Sequence, residues 1–370
     1  MSRFLISCGG TGGHLAPGIA VAEGLRARGH EVRLLISSKR IDAQLSAKYP
    51  HLTFQPMPGS GFSAHPIEFA RATVALIRAI GQCVRLVRSF RPSAVIGFGG
   101  FTSGPPVIAA GLFGVPVALH ESNHVPGRAV RLLGRLARRV YLPPGVRLPG
   151  LGAGAVRAAG MPVRREIGRQ DAATSRAALG LEPERRTVVV LGGSQGATPL
   201  NAWVHDARVA LARAGVQLFV VTGPGKGAAE TLVADGVRAV FVPFCDRMAE
   251  AMSAADLVVS RAGAGTIAEL VRCGTPAVLV PYPQAADDHQ RANADFFVRA
   301  GGGAVVAQTD LRQLTDTVLA ILADDTRREA HRAALQRLDR ENALDLMLAD
   351  LDEIAAGERP ANGAAWVIAA

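Results

Sequence analysis

The sequence predicts an α/β fold built from two facing domains, each a doubly wound parallel sheet of Rossmann-like type, with a cleft between them. Three observations predict it. A phrase of apolar strand, glycine turn and helix occurs at FLISCGGTGG (4–13) and again at TVVVLGGSQG (187–196). Each copy leads through a helical stretch into a second apolar run, EVRLLIS (31–37) and VQLFVVTG (216–223). Within each half the phrase then recurs, at 94–121 (AVIGFGGFTSGPPVIAAGLFGVPVALHE) and 257–283 (LVVSRAGAGTIAELVRCGTPAVLVPYP). Near-continuous apolar strands separated by helices mark a parallel sheet covered on both faces. Alternating β and α units wind such a sheet doubly, with ligands at the carboxyl ends of its strands.

At 370 residues the chain is long enough for two domains that each bury a core. Its 49% apolar and 19% charged composition is that of a globular protein. Cys8, Cys83, Cys245 and Cys273 form no CxxC pair or zinc-type spacing, so a reduced, cytosolic setting is expected. The most apolar stretch, 105–119, is broken by Pro105, Pro106, Gly111, Gly114 and Pro116, too often to span a bilayer. No secretory leader is evident. The net charge of +10 is unevenly spread: residues 1–165 hold 21 basic against 5 acidic residues, the remainder 20 against 26. A basic first half points to an anionic partner. With only 5% aromatics and no recognisable nucleic-acid module, a membrane surface fits better than nucleic acid.

The glycine turns come first along the chain. A strand that turns through glycines into a helix gathers unpaired backbone N–H groups and the positive end of a helix dipole, which attracts phosphate. A dinucleotide fingerprint requires Gly-x-Gly-x-x-Gly and an acid ending the second strand. Gly10 and Gly12 fit, but Leu15 holds the third position and the second strand ends in Ser37, Ser38, Lys39 and Arg40. Around GPGKG (223–227), Val220 stands where a phosphate loop needs its first glycine. Neither NAD nor ATP is favoured, and no cofactor is expected. His14 opens the helical pattern at 14–28, where the dipole disfavours an imidazolium and leaves a ring able to accept a proton. Residues 142–162, rich in Gly and Pro, read as the end of domain one and the hinge. Glu269 follows the AGAGT turn by one helical turn, where an acid is equally a favourable cap. Residues 327–357 are a charged helical pattern with no strand after it, and 358–370 end in an apolar tail around Trp366. The expected domains are 1–160 and 161–340, followed by a helix and tail at 341–370 that pack back toward the first.

Taken together, these strings resemble the MurG family of glycosyltransferases. The matching segments are GGTGGH (9–14), GGFTSGP (99–105), HESNHVPG (120–127) and MPVR (161–164). GGSQGA (192–197), PFCDRM (243–248), SRAGAGTIAEL (260–270) and DDHQRANA (287–294) follow in order. The resemblance implies the GT-B architecture and an inverting, metal-independent transfer of N-acetylglucosamine. By the same resemblance, the expected donor is UDP-N-acetylglucosamine and the expected acceptor is the C4 hydroxyl of N-acetylmuramic acid in the undecaprenyl-pyrophosphoryl pentapeptide precursor of peptidoglycan (lipid I to lipid II).

By resemblance the second domain holds the donor. Glu269 binds the ribose, the backbone at Cys245 meets the uracil, and Ser194, Ala264, Gly265 and Thr266 present N–H groups to the diphosphate. Arg164 adds charge there, and Gln290 holds sugar hydroxyls beside His289. In the first domain Thr11, Gly12, Gly13, His14, His120 and Asn123 line the acceptor side, with His14 the first candidate base and His120 the second. Phe101, Ser122 and Met161 depart from the commoner pattern, as do Val220 and Val221 where a histidine is frequent. No metal is expected: the one D-x-D, Asp350–Asp352, lies far from every glycine turn, and its acids diverge on a helix.

The lipid-linked acceptor implies a peripheral position on the cytoplasmic side of the cell membrane, with other cell-wall synthesis proteins as further candidate partners. Arg71, Arg78 and Arg85 recur every seven residues in a helical pattern, beside an apolar stripe of Phe69, Val74, Ile77, Ile80, Val84 and Val87. The bland alternative is a crossover helix whose stripe packs on the sheet. Alternatives for the whole chain are another GT-B enzyme, with a different lipid acceptor or a nucleotide-sugar epimerase activity, and a catalytically silent cell-wall scaffold.

Overall fold

A computed structural model describes every residue except 10–11, 39–41, 44–45, 59–64, 153, 340–342 and 358–370, together with the side chains at 66, 69 and 70. The expectations for Thr11, for the Phe69 side chain and for the tail at Trp366 fall outside the described residues. The chain divides into two compact units, Met1–Arg164 with Glu341–Ala370, and Arg165–Arg340.

In the first unit seven strands form one sheet: β1 (Arg3–Ser7), β2 (Glu31–Ser37), β3 (Thr53–Met57), β4 (Ala94–Gly97), β5 (Val117–His120), β6 (Arg139–Leu142) and β7 (Val156–Ala158). Their order is β3-β2-β1-β4-β5-β6-β7, and every pair is parallel. All residues of β4, β5 and β6 are buried, and their sequences are apolar except at Arg139, Tyr141 and His120. The period-two alternation of β1 splits the core. Phe4 and Ile6 pack with Leu15 and Ile19 of helix Gly12–Ala27, and Leu5 packs on the other face with Cys83, Leu86 and Phe90 of helix Pro66–Phe90.

Helix Ala343–Ala355 completes the first face through Leu344, Met347, Leu348 and Leu351. Its polar anchor is Asp350. Arg139 Nε donates to both carboxylate oxygens (2.9 and 3.1 Å) and Tyr141 Oη donates to Oδ2 at 2.7 Å. Asp352 pairs with Arg28 (2.7 Å) and with Nε2 of His30 (2.9 Å). The two acids of the D-x-D are therefore each held by basic side chains of the first unit.

The second unit repeats the design with β8 (Thr187–Leu191), β9 (Gln217–Val221), β10 (Glu230–Ala234), β11 (Val237–Val242), β12 (Leu257–Ser260), β13 (Ala277–Leu279) and β14 (Gly303–Val305). The order is β10-β11-β9-β8-β12-β13-β14; only β10 runs antiparallel, as a hairpin on β11. The hairpin turns at Asp235 (φ 49°) and Gly236 (φ 72°), a dipeptide suited to a two-residue turn. Without β10 the strand order matches the first six of the first sheet, as the doubled sequence phrase requires. Strand order reverses between β1 and β4 and between β8 and β12. The four glycine turns follow these four strands, at the switch points where such sheets bind ligands.

Within 142–162, expected as the end of domain one and the hinge, lies β7, a three-residue edge strand too short for its periodicity to show. The unit boundary lies between Arg164 and Arg165, so Arg164 belongs to the first unit.

Candidate active site

In the first unit, helix Gly12–Ala27 begins straight after the first glycine turn, and His14 is its third residue. Across from it, Gly99 (φ 85°) and Gly100 (φ 69°) continue from β4. A Cβ on Gly100 would stand 3.2 Å from Cε1 and Nδ1 of His14, so the imidazole lies over bare backbone. The two turns are stitched together: Thr102 Oγ1 donates to the Gly9 carbonyl and Ser7 Oγ to the Thr102 carbonyl, both at 2.8 Å. Gly13 is exposed and His14 half-buried.

His120 ends β5 and is wholly enclosed. Burial lowers its pKa from 6.5 to about 4, so the ring is neutral at ordinary pH. Nε2–H donates to the Gly160 carbonyl at 3.2 Å, which leaves Nδ1 to accept from Ser122 Oγ at 3.4 Å. Both ring nitrogens of His120, the second candidate base, thus face protein groups. Glu121, passed over in the sequence, organises the next turn. Its Oε1 accepts from the backbone and side-chain nitrogens of Asn123 (2.9 and 3.2 Å), and its Oε2 from Gly127 N at 2.6 Å. Arg164, the last residue of the first unit, donates to Tyr49 Oη at 2.6 Å.

In the second unit, Gly192–Gly196 links β8 to helix Thr198–Arg213. Gly196 (φ 66°) is pressed against β9's end: a Cβ there would fall 2.1 Å from the Thr222 carbonyl. That close approach turns Ser194 and Gln195 outward, where both are exposed. After β12, helix Ala264–Cys273 starts from Gly263, which supplies no side-chain cap. The N–H groups of Ala264, Gly265 and Thr266 therefore have no helical carbonyl to bond and are offered outward. Glu269 lies in the second turn, three residues beyond Thr266 on the same face, so it does not cap the first turn. Side chains lean toward a helix N-terminus, which carries this carboxylate toward the same end.

Cys245 follows β11 half-buried, its thiol pKa raised chiefly by burial. His289 opens helix His289–Arg299 with Nδ1 2.7 Å from the Ala286 carbonyl, and Gln290 Oε1 accepts from Tyr282 N at 2.9 Å. Arg261 was also missed. It is buried, and donates to the carbonyls of Val280 (3.1 Å) and Pro281 (3.2 Å) and to Gln308 Oε1 (2.5 Å). Its one sequence signal is its place directly before the AGAG turn. The structure thus gathers Ser194 with its turn in one place and Ala264, Gly265, Thr266 and Glu269 on one helix end.

Two Rossmann-like units with glycine turns at their switch points, one carrying a histidine and the other uncapped helix starts, define a GT-B glycosyltransferase. Residues 4–142 match the glycosyltransferase family 28 N-terminal domain and residues 187–347 the glycosyltransferase family 28 C-terminal domain. The UDP-N-acetylglucosamine–N-acetylmuramyl-(pentapeptide) pyrophosphoryl-undecaprenol N-acetylglucosamine transferase of Opitutus terrae is 58% identical over 96% of this chain and 95% of its own. The transferase of the same name from Xanthomonas euvesicatoria is 39% identical, over 93% and 79%. The crystal structure of Acinetobacter baumannii MurG matches with a TM-score of 0.74 at 25% identity, covering 95% of this chain and all of that one. The kitacinnamycin glycosyltransferase matches at 0.72 with 15% identity, a likeness of fold alone. The chain belongs to glycosyltransferase family 28, in its MurG group, and is an N-acetylglucosaminyltransferase of cell-wall synthesis.

Proposed function

We propose that this enzyme transfers N-acetylglucosamine from UDP-N-acetylglucosamine to the C4 hydroxyl of N-acetylmuramic acid in the undecaprenyl-pyrophosphoryl pentapeptide, with inversion and without a metal. The hydroxyl oxygen bonds to the anomeric carbon as the bond from that carbon to the diphosphate breaks. UDP leaves with the electron pair, and the hydroxyl proton passes to His14. The observation that carries this reading is the His14 imidazole seated over the Gly99–Gly100 backbone at the switch point of the first sheet. A ring held by backbone contact on a helix start is preorganised to accept a proton.

The donor is assigned to the second unit. The uncapped N–H groups at Ala264, Gly265 and Thr266 and the turn at Ser194 meet the diphosphate, taking the part a metal plays elsewhere. Glu269 takes the ribose, the backbone at Cys245 the uracil, and Gln290 the sugar. That Asp350 and Asp352 are both engaged by basic side chains supports leaving the D-x-D out of the chemistry.

The membrane reading is supported by helix Pro66–Phe90. Arg71, Arg78 and Arg85 are exposed along it, and so are Val74 (48%) and Ile77 (64%). The sheet-facing side is instead Ala72, Ala79, Cys83, Leu86, Val87 and Phe90, so the expected stripe is only partly used for packing. Among the described residues no helix is long and apolar enough to cross a membrane. The position proposed is peripheral, on the cytoplasmic face.

The test is to incubate the protein with labelled UDP-N-acetylglucosamine and a short-chain lipid-linked muramyl-pentapeptide, with and without excess EDTA. Label moving to the lipid in both tubes is the expected result. Transfer only without EDTA overturns the metal-free chemistry. No transfer in either tube, with donor still bound, overturns the acceptor.

A further inference from the structure

We propose that Lys226 is a phosphate-contacting residue, an ammonium placed between the Gly196 carbonyl and the donor's diphosphate. The inference rests on the assignment of the Gly192–Gly196 turn to that diphosphate. The GPGKG string at 223–227 fails as a nucleotide-triphosphate loop by its spacing, yet the fold brings it against the other glycine turn. A Cβ on Gly223 would lie 2.5 Å from Gly196 Cα, so the two segments touch backbone to backbone. Lys226 N donates to the Gly223 carbonyl at 3.1 Å and closes the turn. The exposed side chain then folds back, and Nζ donates to the Gly196 carbonyl at 3.0 Å.

That carbonyl is a liability for an anion site. The negative end of its dipole lies two residues from Ser194, whose turn offers N–H groups to phosphate. An ammonium on the carbonyl reverses the sign of the local field. It has three donors, so one bond to Gly196 leaves two for phosphate oxygens. The charge grows in value as the glycosidic bond breaks and UDP takes up the electron pair.

The composition makes the same point independently. Of 41 basic residues only three, Lys39, Lys48 and Lys226, are lysines, and none but Lys226 lies beyond residue 48. Beyond residue 48 every other basic residue is an arginine. A compact point charge on a flexible stem can share a carbonyl and a phosphate within one turn, whereas the planar fork of arginine is suited to paired, coplanar acceptors.

The test measures UDP and uridine affinities for wild type, Lys226→Met and Lys226→Arg. Uridine carries no phosphate. The expected result is UDP binding weakened about tenfold in Lys226→Met and less in Lys226→Arg, with uridine affinity unchanged in both. Undiminished UDP affinity in Lys226→Met overturns the proposal. So does an equal loss for UDP and uridine, which is the mark of a clip between two turns and nothing more. Wild type that binds neither ligand overturns the donor assignment, and this inference falls with it.

Discussion

The backbone N–H of Tyr282 donates to Oε1 of Gln290 at 2.9 Å, and that bond decides which end of the amide faces outward. A backbone N–H demands the oxygen, so what Gln290 can offer a ligand is its NH2 group. The strand end that carries Tyr282 is itself fixed from behind. Arg261 holds the carbonyls of Val280 and Pro281, and its guanidinium lies 5.6 Å from the centre of the Tyr282 ring. A buried arginine thus holds the segment whose Tyr282 N–H sets the amide's polarity, and the cost of enclosing its charge is offset by three acceptors.

Gln290→Glu tests that polarity. One carboxylate oxygen still accepts from Tyr282, but the outward atom can no longer donate. The KM for UDP-N-acetylglucosamine is expected to rise about tenfold while the affinity for UDP, which lacks the sugar, stays as it is. Equal weakening of both ligands in steady-state and binding measurements removes Gln290 from the sugar site.

On the proposed reading, His14 and Glu269 divide turnover from binding. His14→Ala is expected to lower kcat by about a hundredfold or more and to leave UDP affinity nearly intact. Glu269→Ala is expected to do the reverse, weakening UDP through its ribose. Wild-type kinetics in both variants would show that the site has been misassigned.

Much of this was legible in the chain before its structure. The doubled phrase predicted both sheets because fully buried strands such as β4 and β5 leave no polar alternation to misread. The β10–β11 hairpin was signalled by Asp235–Gly236 but lost among other glycines, and β7 was too short to register. Arg261 and Glu121 escaped for a different reason. Each is a buried charge with two backbone partners and one side-chain amide partner, and neither its burial nor those bonds can be read from local sequence. The acids of the D-x-D show the same limit, since their arginines lie far away in the chain.

His120 makes stability depend on pH. Burial depresses its pKa from 6.5 to about 4. Between those values the unfolded chain binds a proton that the folded protein does not, so stability is full above about pH 6.5 and is lost as pH falls toward 4. The loss reaches roughly 3 kcal/mol, given about 1.4 kcal/mol per pH unit of difference. Denaturant titrations across this window are expected to show the slope in wild type and a shallower one in His120→Asn. An identical slope in both excludes the residue as its source.

Asp350 should be the most sensitive single position in the terminal helix. Asp350→Ala leaves Arg139 buried without its carboxylate and removes the acceptor of Tyr141, a loss of about 3 kcal/mol or more. Chemical denaturation of the full chain measures it. Because this pair holds the helix and not the donor, UDP affinity at low temperature is expected to persist in the variant. Unchanged stability would mean that the apolar face, Leu344, Met347, Leu348 and Leu351, and the Asp352 pairs hold the helix without Asp350.

The exposed face of helix Pro66–Phe90 carries two kinds of side chain for the proposed membrane contact, and salt can separate them. Ile67, Arg71, Val74 and Arg78 fall at steps of four, three and four residues, which keeps apolar and basic side chains on one face. The adjoining helix Gly104–Leu112 adds exposed Leu112 (68%), and Phe113 follows it. Each arginine near an anionic surface contributes about 1 kcal/mol, and that contribution fades with salt, while apolar insertion does not. Reversal of Arg71, Arg78 and Arg85 to Glu is therefore expected to abolish binding to anionic vesicles at low salt. Ile77→Glu should lower binding to the same vesicles at every salt concentration. Neither change should alter transfer to a short-chain, water-soluble acceptor, because the substituted side chains are exposed on a helix that supplies no residue to the glycine turns. Vesicle sedimentation across a salt series checks this, and wild-type binding by both variants would place the membrane contact elsewhere.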